Sequence, residues 1–216
     1  MKKILSPVFL MIMSWGVSYA QSSTDSSQPK KPPHKEIGIG VKAGLNFSNV
    51  TNASEINASS ATGFHVGLFY EPSWDRLIGS KTELLFSQQG YKFSTDSASG
   101  TNKLNYIMLL QLMTVNITRF VQLQIGAQMG YLLNAKADVS TSTGNETIDQ
   151  ALSYYNRFDY GFSGGVEIHP ILGVLVGARY VLSLNDLYKQ PAYGIPDESA
   201  LNFKNNTVQV FTGWRF

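Results

Sequence analysis

Apolar residues alternate with small or polar residues along most of this chain, and a period of two is typical of β-strands. In residues 36–47, every odd position from Ile37 to Phe47 is apolar, and glycine, lysine or asparagine separates these residues. The other segments with the pattern are 64–71, 80–91, 120–132, 157–168, 173–184 and 205–216, and 103–117 is apolar on both faces. The sequence therefore predicts an all-β fold of eight antiparallel strands.

The less apolar face of these strands consists mainly of glycine, glutamine and isolated charged residues. Charged residues make up only 15% of the 216 positions, well below the usual share. A closed barrel of eight strands has a narrow interior that small and polar side chains can fill, while surrounding lipid requires an apolar exterior. The pattern predicts a transmembrane β-barrel of the outer-membrane type. The alternative is a soluble, lipocalin-like barrel.

The N-terminus has the layout of a cleaved signal peptide in residues 1–20. Lys2 and Lys3 precede an apolar stretch at 4–17, and Ser18 and Ala20 are small residues at the −3 and −1 positions of the cleavage site. Residues 21–35 are rich in serine, proline and lysine and predict a disordered periplasmic linker. The barrel domain then covers residues 36–216.

Removal of the signal peptide changes the charge of the chain. The full sequence has 17 basic and 15 acidic residues, and residues 1–20 contain two lysines and no acid, so the mature chain has 15 of each. A formal net charge of zero is not that of a nucleic-acid-binding protein.

Long and short connections between the predicted strands alternate along the chain. The long, polar connections are 48–62, 92–102, 133–156 and 185–203, and the short ones are 72–79, 118–119 and 169–172. Outer-membrane barrels have long loops outside the cell and short turns in the periplasm. We therefore expect a bacterial outer-membrane protein with both termini in the periplasm.

Aromatic residues cluster near the predicted strand ends, where the interfaces of a membrane barrel carry aromatic belts. The interface aromatics we predict are Tyr70, Trp74, Tyr106, Phe120, Tyr131, Phe158, Tyr160, Trp214 and Phe216.

Several charged residues occupy the predicted inner face. They are Lys42, Glu71, Lys81, Glu83, Asp159, Glu167, Arg179 and Arg215. Charges in a narrow interior need partners, so we expect a network of ion pairs that plugs the barrel, with a translocation path as the alternative. The predicted hairpins place Glu71 opposite Lys81. They place Gly161 opposite Arg179, with Asp159 on the adjacent diagonal.

Catalytic and metal-binding patterns are weak in this sequence. His65 lies near the outer end of a predicted strand with Ser87 opposite, but no acidic residue completes a triad, so we expect no enzymatic activity. There are no cysteines. The loop residues Asp138, Asn145, Glu146 and Asp149 lack the spacing of a calcium loop, so we expect neither a metal site nor a cofactor.

The order of several short motifs resembles the outer-membrane β-barrel domain of the "porin family" or PorT-like proteins of Bacteroidetes. The motifs are GIGVKAGLNFSNV, TELLFSQQGYKF, LNYIMLL, IGAQMGYLLNAKAD, RFDYGFSGGVEI and GWRF. The family usually has an acidic residue and a proline in the fourth strand, where this chain has Met108 and Leu110. The C-terminal Phe216 resembles the signal that the barrel-assembly machinery reads.

We therefore expect a non-enzymatic structural or interaction barrel, surrounded by outer-membrane lipid, whose long loops meet extracellular proteins or glycans. The resemblance implies a second possibility, an accessory role in protein secretion across the outer membrane. A small-solute porin and a lipid-modifying enzyme centred on His65 are the remaining alternatives.

Overall fold

The computed structural model describes residues 38–51, 59–73, 75–94, 99–141, 144–149, 152, 155–171, 173–187 and 204–216. Glu36–Phe216 forms one compact unit. The predicted signal peptide, the predicted linker and Trp74 lie outside the described residues.

The described residues form nine β-strands. These are β1 (Ile39–Thr51), β2 (Ser59–Tyr70), β3 (Ile78–Ser94), β4 (Ser99–Asn116), β5 (Val121–Thr141), β6 (Gly144–Asp149), β7 (Phe158–Ile168), β8 (Val174–Ser183) and β9 (Lys204–Arg215). All neighbours are antiparallel, and the ring order is β1-β2-β3-β4-β5-β7-β8-β9, closed by β1 pairing with β9. β6 pairs with the end of β5 outside this ring. The predicted eight-stranded antiparallel barrel is confirmed.

The strands bury their polar face and expose their apolar face. In β1, Lys42, Asn46 and Ser48 are buried, whereas Val41 and Leu45 are exposed. A water-soluble barrel would have the opposite arrangement, because water solvates polar groups and expels apolar ones. The exterior of this barrel is therefore suited to lipid.

The two ends of the barrel differ in their connections. The turns at 71–77, 117–120 and 169–173 lie at the end where β1 begins and β9 finishes, which we call the turn end. At the opposite loop end, the sequence predicted loops at 92–102 and 133–156. This prediction was partly wrong: β3 and β4 remain paired to Ser94 and Ser99, and β5 continues into a hairpin with β6. Residues 92–102 are mostly polar, so no alternation marked them as strands, whereas Leu133, Ala135, Ala137 and Val139 do alternate with polar residues and the loop prediction overlooked them.

The prediction that Tyr106 is an interface aromatic was wrong. Tyr106 is only 2% exposed and packs inside the barrel with Met108 and Leu110. Even-numbered residues of β4 point inward and odd-numbered ones outward, but both sets are apolar, so the sequence pattern could not distinguish the faces. The register with β5 also shifts between Asn105 and Tyr106.

The predicted register of β7 and β8 was also wrong. Arg179 lies opposite Gly165, and Gly161 lies opposite Ser183. The connecting turn extends to Gly173, whose φ of 83° is in the left-handed region that favours glycine, so the hairpin is centred later in the chain than predicted. By contrast, β2 and β3 have the predicted register, and an ion pair joins Glu71 to Lys81.

Two adjacent leucines of β4, Leu109 and Leu110, provide a test of which face of this strand points into the barrel. We expect Leu110→Ala to lower the free energy of unfolding by about 2–5 kcal/mol, because it leaves a cavity in the packed interior. We expect a smaller loss for Leu109→Ala, because lipid fills the space that the outward side chain vacates. Urea unfolding from phospholipid vesicles measures both, and a larger loss for Leu109→Ala would contradict the assigned faces.

Candidate functional site

Glu83 is the centre of a buried ionic cluster that crosses the barrel interior. Its carboxylate accepts two hydrogen bonds from the Arg179 guanidinium, both 2.9 Å long. The Lys42 ammonium lies 3.0 and 3.1 Å from the same two oxygens. Glu83 is on β3 and Arg179 on β8, four places apart in the ring of eight, so this ion pair joins opposite walls.

A second cluster lies nearer the turn end. The Lys81 ammonium lies 3.1 Å from Glu71 Oε2 and 2.7 Å from Glu167 Oε1. His169 Nε2 is 2.8 Å from the same oxygen of Glu167, and Arg215 Nη1 lies 3.9 Å from Glu71 Oε2. One lysine thus links carboxylates from two elements, with basic side chains at the rim.

Two glutamines of β5 connect these clusters. Gln124 donates to Glu167 Oε2 at 2.8 Å and to Gln122 Oε1 at 2.9 Å. Its own oxygen accepts a 3.4 Å hydrogen bond from Arg179. Gln122 in turn donates to Glu71 Oε1 at 2.6 Å. The sequence placed both glutamines on the inner face without assigning them to the network.

Two inward aromatic rings pack against the cations. Lys42 Nζ lies 3.4 Å from the centroid of the Phe211 ring, and Arg179 lies 5.1 Å from it. Lys81 Nζ lies 4.9 Å from the Phe69 ring. The negative face of a ring attracts a cation, most strongly where water is excluded. Sequence reasoning missed both residues, although each occupies an inward position of its strand.

The ionic groups at the centre balance one another. Lys42, Lys81 and Arg179 carry three positive charges, Glu71, Glu83 and Glu167 carry three negative charges, and none of the six is more than 2% exposed. A buried charge without a partner is strongly destabilising, so this balance is a condition for filling the interior with charged residues.

The predicted His65–Ser87 pair is part of a hydrogen-bonded chain. The two residues are opposite each other in β2 and β3, as expected. Asn46 joins them: its Oδ1 lies 2.8 Å from His65 Nδ1, and its Nδ2 donates to Ser87 Oγ at 2.9 Å. Among the described residues, no carboxylate is hydrogen-bonded to His65. Both side chains are buried, so the arrangement holds strands together and offers no open catalytic centre.

Asp159 stands apart from the other predicted lumen charges. It accepts a hydrogen bond from the Ser183 hydroxyl near the loop end. The register error described above explains why its predicted neighbour, Arg179, lies deeper in the barrel and bonds to Glu83.

The remaining predicted interface aromatics point outward. They are Tyr70, Phe120, Tyr131, Phe158, Tyr160, Trp214 and Phe216, with exposures between 37% and 66%. This is the position that contact with lipid headgroups requires. Their role at the interface stays a prediction.

A polar ladder on the outer surface marks where the apolar band ends. Gln88 donates to Asn105 at 3.1 Å, and Asn105 donates to Asn134 at 2.5 Å. On the loop side of this ladder, Lys103 forms a 2.6 Å ion pair with Asp138. On the other side, the outward residues of β4 are mostly apolar as far as Val115.

A closed antiparallel sheet with a polar, charge-filled interior and an apolar outer band defines a transmembrane β-barrel of the outer-membrane type. None of the described residues forms a helix that is long and apolar enough to cross a membrane.

The chain belongs to the outer membrane protein beta-barrel domain family, whose model matches residues 19–189. It is an outer-membrane protein. The finer resemblance to PorT-like proteins of Bacteroidetes stays a prediction. No curated protein matches the chain.

Solved structures similar to this chain include small outer-membrane barrels. The attachment invasion locus protein Ail of Yersinia pestis is 18% identical, with 83% of this chain and 99% of that chain covered and a TM-score of 0.47. Neisserial surface protein A is 14% identical, with 83% and 97% covered and a TM-score of 0.48.

Removing the shared carboxylate tests the ionic cluster. We expect Glu83→Gln to lower the free energy of unfolding by about 3–5 kcal/mol, because it leaves Lys42 and Arg179 buried without a counter-charge. Adding Lys42→Met should restore part of the loss. Urea unfolding from vesicles measures the effect, with the exposed turn variant Asp75→Asn as a control for the loss of one negative charge. A loss no larger than that of Asp75→Asn would disprove the role of Glu83.

Proposed function

We propose that this protein is a non-enzymatic, non-conducting outer-membrane barrel, and that its loop end makes its functional contacts. The observation that carries the proposal is the bridge from Arg179 through Glu83 to Lys42, which spans the lumen between opposite walls. Any solute path through the centre must pass this bridge.

Several contacts support a sealed lumen. Phe211 packs against both cations of the bridge, and Leu110 lies directly beside Glu83 on the neighbouring strand. Opening a water path would separate these buried ion pairs, and the described residues form no other ion pair with Lys42, Glu83 or Arg179. Separation of such pairs is unfavourable unless water or another charge replaces the lost partner. The interior therefore favours a structural role over transport.

The part of the sheet beyond the polar ladder supports a contact role for the loop end. Here β3, β4, β5 and β6 extend as paired strands past the apolar band. Their described surface carries polar and charged groups such as the Lys103–Asp138 pair, whose side chains are about 40% exposed. Such a surface suits a partner with hydrogen-bonding groups, either a protein or a glycan.

The proposal places the loop end outside the cell and both termini in the periplasm. The long strand extensions occur only at the loop end among the described residues, and outer-membrane barrels have their longer connections outside. Export through the predicted signal peptide and insertion through Phe216 by the assembly machinery belong to the same proposal.

Planar-bilayer recording tests the sealed lumen. We expect no unitary current from the mature protein, folded in detergent and verified by its mobility on unheated gels. We expect steady currents from the triple variant Lys42→Ala, Glu83→Ala, Arg179→Ala, because it removes the bridge. Steady unitary current through the unmodified barrel would overturn the proposal.

Outward residues next to the bridge provide the matched control. Val41, Leu84 and Tyr180 neighbour the three bridge residues in sequence and face the exterior. Their triple alanine variant should remain silent. Equal currents from both triple variants would show that a general loosening of the barrel, not loss of the bridge, opens the lumen.

Single cysteines test the orientation, since the chain has none of its own. We expect a membrane-impermeant maleimide to label Lys103→Cys on intact cells and to leave Asp75→Cys unlabelled until the outer membrane is permeabilised. The reverse pattern would place the turn end outside the cell and overturn the proposed topology.

A further inference from the structure

Asp159 differs from the other buried carboxylates in its surroundings. Glu71, Glu83 and Glu167 each lie within 4.0 Å of a lysine or arginine, or of both. Asp159 is partly buried, and in the described part of the chain it forms no ion pair. Its carboxylate accepts hydrogen bonds from the Ser183 hydroxyl and from the backbone N–H of Tyr160, and neither supplies a positive charge. Among the described residues, no basic side chain therefore supplies Asp159 with a counter-charge.

A small cavity of about 10 Å³ lies beside Asp159 at the loop end of the lumen. Besides Asp159 and Ser183, the residues that line it include a second acidic residue, Asp186, and two asparagines, Asn185 and Asn205. The lining residues that the structure describes include no lysine, arginine or histidine. This is about the space that one water-sized particle occupies, so the cavity excludes organic ligands.

The side-chain amides of Asn185 and Asn205 each use their nitrogen atom in a hydrogen bond to the protein, which leaves the oxygen atom available for a ligand. Asn185 Nδ2 donates to the Phe158 carbonyl at 2.6 Å, and a carbonyl can only accept, so the orientation of this amide is determined. Asn205 Nδ2 donates to Gln89 Oε1 at 2.5 Å. Asn205 is 4% exposed, and its Oδ1 has no hydrogen-bond partner. A buried acceptor without a protein partner is unfavourable, and a bound water molecule or cation would satisfy it.

We infer that this cavity binds one hard divalent cation of the Ca²⁺ type, held by Asp159, Asp186 and the Asn205 side-chain oxygen. Ca²⁺ takes carboxylate and amide oxygens as ligands, and its charge matches the two carboxylates. A water molecule would satisfy Asn205 but would supply no counter-charge to the two carboxylates, and the described residues supply none either. The oxygen of Asn185 and solvent complete the oxygen-ligand set.

The site combines residues that are distant in sequence, so no metal-binding sequence motif contains them. It joins the start of β7, the segment after β8 and the start of β9. The prediction that the chain has no metal site rested only on the spacing of acidic residues within a single loop. The described residues contain no group of three histidine, cysteine, aspartate or glutamate side chains placed to hold a metal. Amide oxygens complete this site.

A bound cation would fasten the bases of the loops at this end. The segments around the cavity are already paired, since Asn156 N donates to the Leu187 carbonyl at 2.9 Å and Leu184 N to the Tyr160 carbonyl at 2.9 Å. The cation would add a link to β9. Removal of Ca²⁺ would therefore weaken the loop end first.

Terbium luminescence tests the inference on the refolded, full mature protein in detergent. Tyr106 lines the cavity and can transfer excitation to a bound Tb³⁺. We expect saturable Tb³⁺ luminescence that Ca²⁺ displaces. We expect Asp159→Asn and Asp186→Asn each to weaken the Ca²⁺ competition by about tenfold or more, because affinity follows the number of charged ligands.

Asp75→Asn is the matched control, because it removes one carboxylate from an exposed turn at the other end of the barrel. It should bind as the unmodified protein does. Unchanged affinity in Asp159→Asn, with the variant folded by gel mobility, would overturn the inference even if loop carboxylates elsewhere bind Tb³⁺. In a second measurement, Ca²⁺ should raise the urea midpoint of the unmodified protein and not of Asp159→Asn. Equal shifts would also overturn it.

Discussion

The pairing of β1 with β9 is the interaction on which the rest of the structure depends. In lipid, no solvent hydrogen-bonds to a backbone N–H or C=O group, so a sheet with a free edge is not stable there. The β1–β9 ladder runs from Gly40–Arg215 to Thr51–Lys204 and leaves the ring without an edge. Closure then separates two faces, one for lipid and one for the interior.

The interior of the barrel shows how charged side chains can be stable when they are buried away from bulk water. Buried ions are stable only where their partners and hydrogen bonds replace the lost hydration. Glu83 receives four close contacts from two cations, and the glutamines of β5 satisfy oxygens that the cations leave open. The ionic cluster thus fills the interior with paired charges, and under the proposed function it also blocks the lumen. Asp159, at the loop end, has no such partner among the described residues, and the same reasoning underlies the cation that we infer there.

The alternation of apolar and polar residues predicted much of the fold, because successive residues of each strand face lipid and the barrel interior in turn. The faces of β1 followed from this, and so did the Glu71–Lys81 pair across a short turn. Tyr106 was misplaced because both faces of β4 are apolar. The β7–β8 register depended on Gly173, whose backbone conformation the hydrophobic pattern does not report.

Contacts across the lumen were beyond the reach of sequence reasoning. Hairpin register predicts which residues lie opposite each other in neighbouring strands, but Arg179 and Glu83 lie on opposite walls. Their contact depends on the curvature of the closed sheet and on side-chain length. Gln122 and Gln124 were similarly missed, because a neutral amide on an inner face becomes part of an ionic network only through its position between charged neighbours.

The distances along the chain between the network partners have a consequence for assembly. Lys42 and Glu83 are 41 residues apart, Lys81 and Glu167 are 86 apart, and Glu83 and Arg179 are 96 apart. No single hairpin contains both members of any of these pairs. While the sheet is open, its concave face carries unmatched charges that favour water over lipid. Arg179 meets Glu83 only when the sheet curls until opposite walls approach, so the network rewards complete closure and disfavours release of a half-built barrel into the membrane.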